Sequence, residues 1–234
     1  MSSEKQRRVE PRNARGMQDF LPRQALARQA ILDRIRDAYE AHGFAPLVTP
    51  AIEAWDALSG SGGSEATEAI FRADCGEPEH PIGLRYDLTV PLARVVASRQ
   101  QELPRPFRRY QAGTVWRIDK PGPGRYREFT QCDADIVGTT SPVADAECVA
   151  AARDALEAVL PSAPGAAPRY LIRMSDRRIL DAVLAKAAIP RERAADVLRV
   201  IDKLDRVGRE KVRLELTAGY TDESGDRIPG LALE

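Results

Sequence analysis

The sequence is poor in the residues that build zinc centres and disulfide frameworks. Its 234 residues include three cysteines and two histidines. No two cysteines form a CxxC pair, which argues against a histidine- or cysteine-built zinc site and against a disulfide-stapled secreted domain. We therefore expect reduced thiols at Cys75, Cys132 and Cys148, and no resident metal held by the protein.

An excess of one charge sign and a long apolar run are also missing. Lysine plus arginine and aspartate plus glutamate each number 35, so RNA could be attracted only by a local basic patch. No apolar run approaches the roughly 20 residues that span a bilayer. The first 15 residues, MSSEKQRRVEPRNAR, contain no apolar signal-peptide core. These features predict a globular, cytoplasmic protein with no membrane contact.

Proline and glycine divide the chain into segments. Composition predicts a mobile arm (1–15), a compact core (16–160), a linker with the sequence PSAPGAAP (161–168), a continuation of the core with helical character (169–216) and an irregular tail (217–234).

Periodicity and capping signals predict the elements of the core. Apolar residues at helical spacing predict a helix over 24–42, and Ser141-Pro142 opens a helix that runs to about Leu160. The remaining predictions are an irregular strand at 44–53, a flexible loop at 59–65, and strands at 81–86, 107–118, 126–137 and 169–174. Helices are predicted at 176–188 and from Pro190 onward.

The strand predicted at 126–137 has two chemically different faces. Cys132, Ala134 and Ile136 suit a core, whereas the opposite face carries Gln131, Asp133 and Asp135. The polar face is either the solvated side of an antiparallel sheet or a ligand pocket that binds cationic groups by charge-assisted hydrogen bonds. The three arginines that bracket the preceding loop suit phosphate oxygens and suggest a nucleotide site; they are Arg117, Arg125 and Arg127.

Several long motifs resemble one enzyme family. The segment VWRIDKPGPGRYREFTQCDADIVG resembles the second signature motif of class II aminoacyl-tRNA synthetases, in the form specific to histidyl-tRNA synthetases. LRYDLTVPLARVVA (84–97) is similar to that family's histidine-site motif, and RGMQDFLP (15–22) to its N-terminal signature. The helix at 24–42, followed by the strand with Pro50, is similar to the first class II motif, which builds the dimer interface. With SDRRILDAVL and VLRVIDKLDRVG, the resemblance covers about residues 15–216.

This resemblance implies a fold and a reaction. The expected fold is α+β (α/β in the broad sense), a class II synthetase-like antiparallel sheet flanked by helices, here truncated. The implied activity is that of a histidine–tRNA ligase, which activates histidine with ATP and Mg²⁺ and transfers it to tRNA-His. A homodimer is expected.

The resemblance also assigns site residues. Asp87, Thr89 and Gln131 would hold the α-amino group of histidine, and Asp135 would face its imidazole. Arg117 would bind the α-phosphate and stabilise the transition state, which makes it the expected catalytic residue. The full expected sets are Asp87, Leu88, Thr89, Arg117, Gln131 and Asp135 for histidine, and Arg117, Asp119 and Arg125 for ATP. For Asp87, a helix N-cap is a compatible second role.

The sequence departs from the family pattern in two signatures. It lacks the RGLDYYTG-like segment and the glycine-rich third motif, as well as an anticodon-binding domain, and Ile118 and Lys120 stand where relatives often have arginine. A fragment of a longer synthetase and a shortened paralogue are both open, and we expect the chain to bind ligands better than it catalyses. The alternative function is a non-catalytic regulatory or histidine-sensing protein, such as the regulatory subunit of ATP phosphoribosyltransferase.

Overall fold

The computed structural model describes residues 10–60, 67–160, 165, 167 and 169–233. Most of the predicted arm, of the loop at 59–65 and of the linker at 161–168 therefore lies outside the described residues. The chain divides into two compact units, Met1–Ile172 and Arg173–Glu234. Within the described residues, no helix is both long and apolar enough to cross a membrane.

The first unit combines helices with two small sheets. Its elements are α1 (Pro22–Ala41), β1 (Ala45–Pro46), β2 (Ile52–Ala54), α2 (Trp55–Ser59), β3 (Arg72–Ala73), β4 (Ile82–Leu84), α3 (Thr89–Ser98), β5 (Phe107–Trp116), β6 (Glu128–Val137) and α4 (Pro142–Val159). Ser141 caps α4 as predicted, since its hydroxyl accepts a hydrogen bond from the Val143 amide. Pro46 and Pro50 keep the segment 44–53 from forming one continuous strand, so it is split between β1 and β2.

The main sheet has the order β1–β5–β6. The long strands β5 and β6 form the antiparallel hairpin expected from the sequence, but β1 pairs with β5 in parallel. The α+β fold class is confirmed, and the sheet is mixed rather than purely antiparallel. The second sheet, β2–β4–β3, is antiparallel.

One face of the β5–β6 hairpin forms the core. Tyr39 and Phe44 pack around Tyr110 of β5, against Ala151 and Ala155 of α4, and the predicted core residues Cys132, Ala134 and Ile136 pack against this cluster. The Tyr39 and Tyr110 ring centroids lie 5.9 Å apart. Burial raises the pKa of the Tyr39 hydroxyl to about 12, so it remains a neutral donor at physiological pH.

A buried arginine connects the two sheets. Arg85 follows β4; its Nε donates to the Thr114 carbonyl at 2.9 Å and its Nη1 to the Thr49 carbonyl at 2.8 Å. A Cβ at position 113 would lie only 2.7 Å from Arg85 Nη2, so Gly113 makes room for the guanidinium. The segment before α3 is thereby fixed against β5.

The part of the chain that follows the predicted linker corrects two of the predictions. It contains α5 (Arg177–Lys186), a 3-10 turn (Arg191–Arg193), α6 (Ala194–Ile201), α7 (Leu204–Val207), α8 (Arg209–Leu216), β7 (Gly219–Thr221) and β8 (Arg227–Pro229). The predicted strand at 169–174 is absent, because these residues make no ladder pairing. The segment predicted as an irregular tail instead forms the β7–β8 hairpin, whose turn is closed by amides donating to Asp222.

Candidate active site

The polar face of the β5–β6 hairpin is covered rather than solvated. In the hairpin register, Asp135 lies opposite Arg109 and Asp133 opposite Gln111. Arg109 is 0% exposed and Gln111 4% exposed, while the three polar residues of β6 are half-buried. Of the two interpretations left open by the sequence, burial favours the pocket over the solvated sheet face.

Arg109 connects this face to the start of α3. Its Nη2 lies 2.6 Å from Asp135 Oδ2 and donates to the Leu88 carbonyl at 3.0 Å. The contact with Asp135 is an ion pair with poor hydrogen-bond alignment, so Oδ2 still lacks a well-directed donor. A single guanidinium therefore spans the two chain segments on which the sequence places the histidine contacts.

A second pair on the same face fixes the orientation of Gln131. Its Nε2 donates to Asp133 Oδ2 at 3.2 Å. An ionised carboxylate only accepts hydrogen bonds, so this contact assigns nitrogen to the atom that faces Asp133. The opposite atom, Oε1, is buried and accepts from no protein group.

The unpartnered polar atoms of the described residues are concentrated at this face. Among those residues, the buried side-chain nitrogen and oxygen atoms without a hydrogen-bond partner are Arg109 Nε, Arg109 Nη1, Gln131 Oε1 and Asp135 Oδ2. A buried polar atom without a partner costs about 1–3 kcal/mol. Such a concentration at one place is typical of a functional site rather than of a packing defect.

Burial dominates the electrostatics of the pocket. It raises the pKa values of Asp133 and Asp135, which Arg109 lowers in part, and the neighbouring carboxylates act in the raising direction. Burial also lowers the pKa of Arg109. Three carboxylates, those of Asp87, Asp133 and Asp135, surround one guanidinium, so the charge balance favours a cationic ligand.

The start of α3 supplies the other predicted contacts. Asp87 Oδ1 accepts from the Val90 amide at 3.0 Å. Its side chain thus satisfies an amide of the first helical turn, although the N-cap position itself is Leu88 and not Asp87 as predicted. Thr89 is the first residue of α3 and lines a cavity of about 530 Å³ together with Asp135 and apolar residues of α3 such as Leu92. Leu88 is 0% exposed as a whole residue, and its carbonyl accepts from Arg109, so it supports the site from within rather than presenting an accessible group.

The predicted nucleotide residues lie where the hairpin strands meet the connecting loop. Arg117 Nε donates to the Tyr86 carbonyl at 2.9 Å, and its Cζ lies 5.2 Å from the Phe129 ring centroid. Asp119 Oδ2 lies 3.0 Å from Arg125 Nη2 within the loop. Arg117 is thus held at the end of the sheet, while Asp119 and Arg125 form one ion pair within the loop.

The N-terminal signature packs against this same loop. Gly16 has a φ of +82°, and its carbonyl accepts from the Arg127 amide at 2.8 Å. A Cβ at position 16 would lie 2.8 Å from the Arg127 side chain, so glycine is required for this approach. Arg127 Nε in turn donates to the Asp119 carbonyl at 3.0 Å. This hydrogen bond holds the loop against the residue that precedes β6.

Two residues of the site were not assigned from the sequence. Arg109 and Asp133 each contact a predicted ligand residue, yet neither had a role in the sequence analysis. Asp133 was visible on the polar face of β6. Arg109 emerges only once the hairpin register is known, because the register decides that this residue of β5 lies opposite Asp135.

The described residues contain no group of three or more histidine, cysteine, aspartate or glutamate side chains arranged to hold a metal ion. A Mg²⁺ ion does not need such a group when substrate phosphates supply ligands. The described side chains thus offer no dedicated metal cage.

Comparison with solved structures identifies the kind of fold. The crystal structure of histidyl-tRNA synthetase from Nostoc sp. PCC 7120 matches with a TM-score of 0.73 and 31% identity, over 89% of this chain and 45% of that chain. An ATP phosphoribosyltransferase regulatory subunit/histidyl-tRNA synthetase from Bacillus halodurans matches with a TM-score of 0.70 at 23% identity, which shows the fold alone. The mixed sheet flanked by helices is therefore a fold of the class II aminoacyl-tRNA synthetase kind.

Sequence comparison identifies the family. A family model for histidyl-tRNA synthetase matches residues 16–222. The histidine–tRNA ligase of Aeropyrum pernix is 46% identical over 88% of this chain, and that of Paracoccus denitrificans is 43% identical over 98%. The chain belongs to the histidyl-tRNA synthetase family. It spans 46% and 47% of the length of these two relatives.

Proposed function

We propose that this chain supplies the histidine- and ATP-contacting part of a histidine–tRNA ligase. The observation that carries the proposal is the concentration of buried, unpartnered polar atoms on the polar face of β5–β6. A ligand that donates to the buried Gln131 Oε1 would offset the cost of leaving that oxygen without a partner. Family membership supports histidine as that ligand.

The chemistry of the pocket matches the two ends of histidine. Asp87, Thr89 and the Gln131 oxygen would accept from the α-ammonium group, for which acceptors rather than donors are needed. Asp135 would accept from an imidazole N–H, and its negative charge also suits the protonated ring. Leu88 would contribute indirectly, through the carbonyl that accepts from Arg109.

The ATP roles rest on the arginines of the hairpin. Arg117 would hold the α-phosphate and stabilise the charge that develops on it, while Asp119 and Arg125 would contact the nucleotide from the loop. The histidine carboxylate attacks the α-phosphorus in line, and pyrophosphate leaves. No protein nucleophile takes part, so this half of the site acts by positioning and charge stabilisation.

The further parts of the proposal follow from the family. Mg²⁺ would be held mainly by the phosphate oxygens of ATP. The whole protein would transfer the activated histidine to tRNA-His in the cytoplasm. It would act as a homodimer through α1 and the Pro50 segment, which sedimentation at micromolar concentration tests: a monomer alone would contradict the dimer.

Calorimetric titration of this chain with histidine, with ATP and with both tests the proposed function. We expect histidine to bind, histidinol and histidine to compete for one site, and ATP binding to depend on Arg117. If histidine binds but Arg117→Met does not change ATP binding, the result would favour a histidine-sensing protein instead. Absence of histidine binding at millimolar concentration would contradict the proposal.

A further inference from the structure

Arg109 is a buried charge at the base of the proposed histidine pocket. It is 0% exposed, and its guanidinium contacts one carboxylate and one carbonyl: Asp135 Oδ2 at 2.6 Å and the Leu88 oxygen at 3.0 Å. Burying a guanidinium is costly, and replacing a whole buried ion pair by apolar residues of similar volume is often neutral or stabilising. The arginine is therefore better explained by what it holds than by a contribution to folding.

The contact with Arg109 places the two carboxyl oxygens of Asp135 in different environments. Oδ2, beside Arg109, is shielded from solvent, yet the Asp135 side chain as a whole is 29% exposed. Its exposed surface must therefore lie on its other atoms. Because Asp135 also lines the cavity shared with Thr89, its inner oxygen is engaged by Arg109 while the rest of the side chain contributes to the cavity wall.

The second contact fixes the distance between two chain segments. The Leu88 carbonyl immediately precedes Thr89, which begins α3. One planar guanidinium that bridges this carbonyl and Asp135 sets the position of β6 relative to the α3 start. Planar geometry and several donors make arginine suited to such a bridge, whereas lysine offers only a point charge.

We propose that Arg109 is a positioning residue: it holds the carboxylate of Asp135 at a fixed place relative to Thr89, so that both meet the same bound histidine. This inference rests on the proposed function, because it takes Asp135 and Thr89 as histidine contacts. Arg109 itself does not touch the ligand. It acts through Asp135.

Electrostatics gives the proposal a distinctive pH signature. Burial and the charge of Asp87 raise the pKa of Asp135, and Arg109 is the group that lowers it. Asp133 also faces Arg109, and Tyr39 lies within the same field. Without the guanidinium, only raising influences remain, so the carboxyl group protonates at higher pH and loses its affinity for a cation as the pH falls.

The experiment compares three variants with the parent chain: Arg109→Met, Arg109→Lys and the control Arg108→Met. Arg108 is the neighbouring residue, but it points to the opposite face and pairs with Glu147 of α4 at 2.9 Å. Histidine affinity is measured by calorimetry between pH 5 and pH 9, with unfolding followed in parallel. Aspartate carboxyl ¹³C shifts report the protonation of Asp135 directly.

Arg109→Met should weaken histidine binding by about 10–100-fold at neutral pH, the range expected when a charge-assisted contact loses its alignment. The loss should grow as the pH falls and shrink as it rises. Arg109→Lys should recover part of the affinity and show a smaller pH shift in the same direction. Arg108→Met should change affinity by less than about 2-fold, since a half-exposed ion pair on the other face contributes little.

Parent-like histidine affinity in Arg109→Lys at every pH, or a pH-independent loss shared with Arg108→Met, would overturn the proposal. If Arg109→Met does not fold, Arg109→Lys alone decides by the same criteria. If the parent itself fails to bind histidine, the proposed function falls. The ¹³C titration then still decides Arg109's hold on Asp135, because an unchanged carboxyl titration in Arg109→Lys would contradict it.

Discussion

Arg109 and Tyr110 are neighbours on one strand, yet their side chains enter opposite environments. Tyr110 packs against Tyr39 and donates its hydroxyl to Glu40 at 2.6 Å, so both its apolar and its polar parts are accommodated. Arg109 is buried as deeply, but two of its three nitrogens have no partner. On the core face of the hairpin the apolar groups are packed and the Tyr110 hydroxyl has a hydrogen-bond partner. On the polar face, several buried nitrogen and oxygen atoms have none.

This contrast separates stability from binding within a single hairpin. Close packing of apolar groups supplies most of the folding free energy. The polar face adds cost, since carboxylates and an amide are buried there without full compensation. Changes on the core face should therefore alter unfolding, and changes on the polar face should alter ligand affinity.

The largest expected effect is on the core face. Tyr110→Ala removes a buried aromatic ring and should lower the free energy of unfolding by about 3–5 kcal/mol, as truncation of large core aromatics does. Urea unfolding measures it. Histidine affinity of the folded protein should stay within about 2-fold, and a selective loss of affinity without loss of stability would break the comparison.

The next effect is on the polar face. Asp135→Asn should weaken histidine binding by about 1–3 kcal/mol, because a charge-assisted contact becomes a neutral one. ATP affinity should change much less. The free energy of unfolding should fall by less than in Tyr110→Ala, because Arg109 stays buried with one counter-charge fewer. Asp154→Asn, on the surface of α4, is the matched control. Equal losses for histidine and ATP in calorimetry would contradict the assignment.

A smaller effect is expected at Asp133. In Asp133→Asn the new side-chain amide can donate as well as accept, so Gln131 can turn either its nitrogen or its oxygen toward position 133. The Gln131 oxygen is then no longer kept available for the ligand. Histidine affinity should fall by about 1 kcal/mol. Imidazolepropionate, which lacks the α-amino group, should bind the parent and the variant equally. A similar loss for both ligands would show that Asp133 acts on the pocket as a whole.

The smallest effect concerns the helices behind the core face. His42 Nε2 lies 2.7 Å from Asp154 Oδ2, and this contact, followed by Arg153, lowers the pKa of Asp154. A depressed carboxyl pKa stabilises the fold above the unfolded value, and that contribution is lost as the pH falls through the folded value. Asp154→Asn should therefore lose a little stability near neutrality and match the parent in strong acid. A difference that grows on acidification would contradict this sign.

Much of the hairpin could be predicted because its sequence follows a strict period of two. The core residues Cys132, Ala134 and Ile136 were assigned correctly. Because side chains alternate along a strand, Gln131 and Asp135 then lie together on the opposite face of β6. What β6 alone could not reveal is Arg109, since the pairing register decides which residue of β5 meets Asp135. A single strand does not carry that information.

The elements outside the hairpin show other limits of local pattern. YLIRM has the composition of a strand, but no neighbouring strand pairs with residues 169–174, so propensity is overridden by context. The opposite error occurs at 219–229. This polar segment was predicted to be irregular, but it forms a short hairpin. This hairpin is held by backbone pairing and by the turn at Asp222. It lacks the alternation of apolar and polar residues by which a strand is predicted from sequence.

The most direct test of the central claim is an NMR titration of the chain with histidine. If the polar face is the binding site, shifts should concentrate at Thr89, Gln131, Asp133 and Asp135, including the Gln131 side-chain amide, whose oxygen gains a donor. Tyr110 and Ala134, on the core face of the same strands, should move little. Saturable shifts centred on the core face or on the second unit, with Gln131 and Asp135 unmoved, would contradict the account.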